Sequence, residues 1–100
     1  MSVCITLRIA ADPDRAERVA SQNAETMRSI AEDAKRHGAL HHRFVAGEGE
    51  IMAIDEWVSQ EAFQAFFSAN ADIPRVLQQA GVTGQPRVDV WRAIDMRDEF

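Results

Sequence analysis

Residues 51 to 67, Ile-Met-Ala-Ile-Asp-Glu-Trp-Val-Ser-Gln-Glu-Ala-Phe-Gln-Ala-Phe-Phe, join an apolar run to an amphipathic helix across a single serine. Ser59 suits a helix N-cap because its hydroxyl accepts from an unpaired backbone N–H of the first turn. The chain therefore leaves a strand near Val58 and enters a helix at once. Period-two counting puts Ile51, Ala53, Asp55 and Trp57 on one side of that strand and Met52, Ile54, Glu56 and Val58 on the other. Within the helix, Ala62, Phe63, Phe66 and Phe67 form an aromatic face. Asp72 and Pro74 mark a break and a restart toward Val76, Leu77 and Ala80, and Gly81 closes the element.

The rest of the chain is read in the same way. Residues 3 to 10 alternate, with Val3, Ile5, Leu7 and Ile9 on one face and Cys4, Thr6 and Arg8 on the other, the pattern of a half-buried strand. Asp12-Pro13 supplies an N-cap followed by a proline whose missing N–H costs nothing at the first helical position. The spacing of Ala16, Val19, Ala20, Met27, Ile30, Ala31 and Ala34 predicts one long helix of roughly 24 residues, ending at Gly38 with Lys35, Arg36 and His37 against its negative pole. Ala39 to Val45 reads as a second strand. Ala46-Gly-Glu-Gly-Glu50 reads as a hairpin into the third, and residues 87 to 94 as a fourth. The order β-α-β-β-α-β is an α+β, ferredoxin-like arrangement: an antiparallel sheet with both helices on one face, residues 1 to 100 making a single domain. The other sheet face is left open, and covering it with a second copy is the cheapest way to keep its large side chains from water.

Composition narrows the function classes. Forty-six per cent hydrophobic and 27 per cent charged residues describe an ordinary globular chain. A net charge of -5 without a basic stripe argues against a nucleic-acid partner. No apolar run approaches the ~20 residues that cross a bilayer, so no membrane partner is expected. Cys4 is the one cysteine and has no internal partner, and no signal segment is evident; a cytoplasmic setting is the expectation. Gly47-Glu-Gly49 lacks the third glycine and following helix of a dinucleotide loop, and no metal-ligand spacing occurs. No cofactor and no metal are expected.

The strand-end acid and tryptophan, Asp55-Glu56-Trp57, followed by the Ser59-led helix, resemble the antibiotic biosynthesis monooxygenase-like family. The resemblance spans almost the whole chain in element order, and its specific part is residues 51 to 67. It implies a dimeric α/β barrel in which the acid and the tryptophan point inward, so that Asp55 and Trp57 line a cavity. It also implies a cofactor-independent monooxygenase acting on a small aromatic or hydrophobic molecule, a homodimer, and an oxygen-activating substrate held as its anion. Two departures stand out. Many members carry a histidine in the second helix where this chain has Phe66, and residues 68 to 81 lack the axial histidine of the haem-degrading branch.

Candidate chemistry centres on a few residues. His41 and His42 are neighbours on a strand and point to opposite faces, which disfavours a two-histidine metal clasp. By its phase with Leu40 and Phe44, His42 lies under a helix as a hydrogen-bonded core histidine. His41 shares the phase of Arg43 and is the candidate general base, since imidazole is the side chain that exchanges protons near pH 7. His41 or Asp55 would take the proton, and Arg8 or Arg43 would hold the anion. Trp57, Phe66 and Trp91 would build the apolar walls. In the competing reading Trp57 anchors a dimer core, Asp55 pairs with Arg8 or Arg92, and the protein is a non-enzymatic barrel that binds a small ligand or supports an assembly.

Overall fold

The computed structural model describes residues 2–100. Its strands are β1 (Val3–Ala10), β2 (Ala39–Gly47), β3 (Glu50–Trp57) and β4 (Arg87–Trp91). Between β1 and β2 run α1 (Pro13–Gln22) and α2 (Ala24–His37); between β3 and β4 run α3 (Gln60–Ala69) and α4 (Asp72–Gln79). The sheet is antiparallel throughout, in the order β2-β3-β1-β4. This is the α+β ferredoxin-like arrangement the sequence predicts, with each helical arm divided in two.

The caps lie where the sequence puts them. Asp12 accepts from the Asp14 N–H at 3.1 Å ahead of Pro13, and the Ser59 hydroxyl accepts from the Ala62 N–H at 3.1 Å. Gly38 takes the left-handed conformation, φ 112°, at the end of α2. A Cβ there would sit 2.5 Å from Val58 Cγ2, so glycine serves both the turn and the close approach of the chain leaving β3.

Two boundaries differ from expectation. The first arm is two helices, because Asn23 leaves helical geometry (φ -121°, ψ 38°) and its side-chain amide donates to the Val19 carbonyl at 2.8 Å. A side chain that bonds nearby backbone offers the chain an alternative to the helical ladder. The fourth strand stops at Trp91 rather than 94: Trp91 already pairs with Cys4, and β1 starts at Val3, so little strand remains to pair with residues 92 to 94.

The core lies between the sheet and the helices. Ile5, Leu7, Ala53 and Trp57 from the strands meet Phe63 and Phe66 from α3, with Ile30 and Ala34 of α2 at the margin. Trp57 is 1% exposed, with the Phe63 and Phe66 rings at 5.5 and 5.3 Å. Each such aromatic side chain withdraws about 150–250 Å2 from water, which makes this cluster the main apolar anchor of the fold.

Candidate active site

Beneath the helices the core is incompletely filled. A cavity of about 540 Å3 is walled by Leu7, Ala53 and Trp57 of the sheet and Phe63 and Phe66 of α3, with Met27 and Ile30 of α2 further along. Its size suits a drug-sized molecule, and an apolar pocket with a few convergent polar groups is the usual form of a small-molecule site. Glu17 and Lys35 line it from the helices, and the polar groups of the sheet gather at Asp55.

Asp55 is 7% exposed, the one charged residue among the described residues that are buried. Burial of a carboxylate is costly unless its oxygens are hydrogen-bonded, and both are. Oδ1 lies 2.6 Å from His42 Nδ1, and Oδ2 accepts from the Trp57 indole N–H at 3.1 Å. An ionised carboxylate only accepts, so Nδ1 is assigned the imidazole proton and Nε2 is left with the free lone pair. The His42 side chain is 44% exposed and packs edge-on against Phe44 at 5.1 Å. The result is a half-exposed imidazole, oriented by a buried acid that is itself held by a buried indole.

The strand register explains the meeting. The β2–β3 hairpin turns at Glu48-Gly49, with Gly49 at φ 72°, and from Gly47↔Glu50 the pairs run back to Phe44↔Ala53 and His42↔Asp55. Directly paired residues share a face. His41 pairs with Glu56 in the same register, and a bulge between His41 and Ala39 then shifts it so that Ala39 pairs with Trp57. His41 lines the cavity but is exposed and has no side-chain hydrogen bond among the described residues.

The residues singled out from the sequence divide between two faces. Asp55, Trp57 and Phe66 wall the cavity, and His41 lines its edge. Arg8, Arg43 and Trp91 lie on the opposite, open face of the sheet: Arg8 pairs with Met52, Arg43 with Ile54, and the Trp91 indole donates to Thr6 Oγ1 at 3.0 Å. Within one protomer, the expectation that all seven surround one void does not hold. Arg8 and Arg43 alternate with the inward residues of their strands, and the cavity lies under the helices. Asp55 pairs with His42, not with Arg8 or Arg92. His42, expected as a hydrogen-bonded histidine under a helix, has that bond but keeps half its ring in solvent. The signal that could have put it in the site is the two-residue hairpin turn, which counts back from Gly47↔Glu50 to His42↔Asp55.

Arg8 has a local partner on the open face. Its guanidinium donates from Nε and Nη2 to the two Glu50 oxygens at 2.9 and 3.1 Å. Hydrogen bonding and charge attraction from Glu50 hold the Arg8 pKa above its ordinary value, and those from Arg8 hold Glu50 below its own. Lys35 of α2 is the one lysine or arginine among the described residues lining the cavity. No group of three or more His, Cys, Asp or Glu side chains among the described residues is arranged to hold a metal ion. No described helix is long and apolar enough to cross a membrane.

No protein-family model and no curated protein matches the chain. Solved structures do. SnoaB, a cofactor-independent oxygenase from Streptomyces nogalater, superposes with a TM-score of 0.64 over 98% of each chain at 15% identity. The fold is that of the antibiotic biosynthesis monooxygenases. A structure bearing that family name aligns at a TM-score of 0.62 with 16% identity, covering 94% of this chain and 99% of its own. A conserved protein from Methanosarcina mazei Go1 aligns at 0.65 with 9% identity over 92% of each chain. At these identities the likeness is one of architecture, and the monooxygenase-like fold is what this chain shares with them.

Proposed function

We propose that the chain is a cofactor-independent oxygenase acting on a small, weakly acidic aromatic molecule held in the cavity, with His42 as the base. The observation that carries this reading is the Trp57–Asp55–His42 chain of hydrogen bonds at one end of a largely apolar void. A base whose second nitrogen is fixed by a third group is the arrangement that general-base catalysis needs.

In the proposed reaction, His42 Nε2 accepts a proton from an activated C–H or O–H of the substrate, and Asp55 steadies the imidazolium. Apolar walls keep the substrate anion from water. That anion passes an electron to dioxygen, and the radical pair recombines to form a carbon–peroxide bond. At a methylene carbon, the imidazolium returns its proton to the peroxide, and loss of the second C–H proton as the O–O bond breaks expels hydroxide, which takes up that proton, giving CH2 + O2 → C=O + H2O. Lys35, whose exposed Nζ also donates to Glu32 Oε1 at 3.2 Å, would favour the anion in place of Arg8 or Arg43. His41 is the alternative base, and its lack of a side-chain hydrogen bond among the described residues sets it below His42.

The proposal includes a homodimer. The open sheet face carries Met52, Ile54 and Trp91, and the Trp91 side is more than half exposed at 55%. A second copy packed sheet to sheet would cover them and make the dimeric barrel. A non-enzymatic ligand-binding barrel is the second reading, and the observation favouring it is Phe66, which fills with hydrocarbon a position where many related sequences carry histidine.

The test is oxygen uptake in the presence of a panel of polycyclic phenols and anthrones, with and without His42→Ala. Uptake that depends on His42 supports the oxygenase; saturable binding without uptake by any member of the panel supports the binding protein.

A further inference from the structure

The short helix α4 walls the cavity with Ile73, Val76 and Leu77, yet none of its residues is fully buried. It has eight residues, and a helix of that length is marginal in water without help from its surroundings. Much of that help is at its two ends. At the first, Asn70 Oδ1 accepts from the backbone N–H groups of Asp72 and Ile73 at 3.0 and 3.2 Å, and Asn70 Nδ2 donates to Asp33 Oδ2 of α2 at 2.8 Å. At the other, the Gln79 carbonyl accepts from Arg15 Nη2 of α1 at 3.0 Å, and Gln79 Oε1 accepts from Asn23 Nδ2 at 2.9 Å.

Each end thus has a side-chain clasp to the first helical arm, and each adjoins non-helical backbone. Asn70 is extended, at φ -76° and ψ 114°, and Gly81 is left-handed at φ 81°. The Asn23 clasp lies at the bend between α1 and α2, so the break in the first arm supplies a fastening for the second.

We infer that residues 70 to 81 form a hinged lid over the cavity, latched at Asp33–Asn70 and at Arg15/Asn23–Gln79. Opening breaks the latch hydrogen bonds, swings Ile73, Val76 and Leu77 aside and admits an apolar molecule while the sheet and α3 stay in place. Local opening of this kind draws on the least stable elements of a fold. The inference rests on the cavity being a ligand site.

Amide-resolved hydrogen exchange, combined with stopped-flow binding of the anionic aromatic fluorophore ANS, tests it on the wild type and on Arg15→Ala and Gln79→Ala. The α4 amides are expected to exchange well ahead of those in β1 and β3. Arg15→Ala or Gln79→Ala is expected to speed α4 exchange about fivefold, the factor for one net hydrogen bond, with β1 and β3 exchange following only any change in global stability. ANS entry and exit should rise together in the same variants. Exchange of α4 at the rate of the central strands, or ANS entry indifferent to both latch variants, overturns the lid. Fast α4 exchange in a protein that binds no ANS leaves the hinge standing but removes the cavity reading, and with it the gating role.

Discussion

Replacing Asp55 with Asn separates what the buried acid does for the fold from what it does for His42. Asparagine keeps the shape and one acceptor oxygen but exchanges the other for an NH2 donor. The Trp57 N–H can only donate, so the amide oxygen has to face it and the NH2 has to face His42 Nδ1. His42 must then accept at Nδ1, which moves its proton to Nε2, the atom that has to be bare to act as a base. Two bonds to a charged acceptor become two neutral ones, a loss of about 1 kcal/mol each. The lower cost of burying a neutral amide, and the 44% exposure of His42, offset part of this loss. A net loss of about 1 kcal/mol is expected, or a Tm lower by roughly 4–8 °C for a domain of this size. Any turnover that uses His42 should fall far more, on the order of 10^4, as when the wrong tautomer is imposed on a comparable imidazole. Long-range 1H–15N correlation of the His42 ring reads the tautomer, and thermal unfolding by circular dichroism reads the stability. Asp55→Asn protein in which His42 still carries its proton on Nδ1 would refute the argument, as would a stability loss above about 4 kcal/mol.

Trp57→Phe keeps a ring against Phe63 and Phe66 but leaves Asp55 Oδ2 unpaired in a buried place; urea denaturation should show a loss of about 1–3 kcal/mol or more. Gly38→Ala forces a Cβ toward Val58 Cγ2 at a positive φ, and a fall of more than about 1 kcal/mol is expected in the same assay. Asp33 is held below its ordinary pKa, first by the Asn70 hydrogen bond and then by His37 and Arg36. The stability it adds is therefore present above the usual carboxylate pKa near 4 and is lost as pH falls through its folded value. Asp33→Asn should flatten the acid limb of the stability profile below the usual carboxylate pKa, read by urea denaturation across an acid pH series. Ile54→Arg, on the open sheet face, should convert the proposed dimer to a monomer in native mass spectrometry while leaving circular dichroism unchanged.

The order of elements was legible because its signals are local. Alternation in residues 3 to 10, the Asp12-Pro13 cap, Gly38, and the Ser59 junction each act within a few residues, and each stands where the sequence puts it. The break at Asn23 was less legible. It depends on a side-chain bond to Val19 within the arm and on a second to Gln79, 56 residues further along the chain.

The sequence by itself determined that the four strands and two helical arms form, and that Asp55 and Trp57 share a face. Only tertiary structure decided which side of the sheet that face is on, and so which residues meet there. Period-two alternation separates two faces but does not label them. Helices placed over Ile5, Leu7, Ala53 and Trp57 put Asp55 beneath them and sent Arg8, Arg43 and Trp91 to the other side. The partner of Asp55 was decided by register, which sets His42 opposite it and His41 opposite Glu56, and the bulge between His41 and Ala39 changes the pairing only beyond them, where Ala39 meets Trp57. A one-residue shift between strands reverses every side chain, and the register at His42 and Asp55 is fixed by the two-residue turn at Glu48-Gly49.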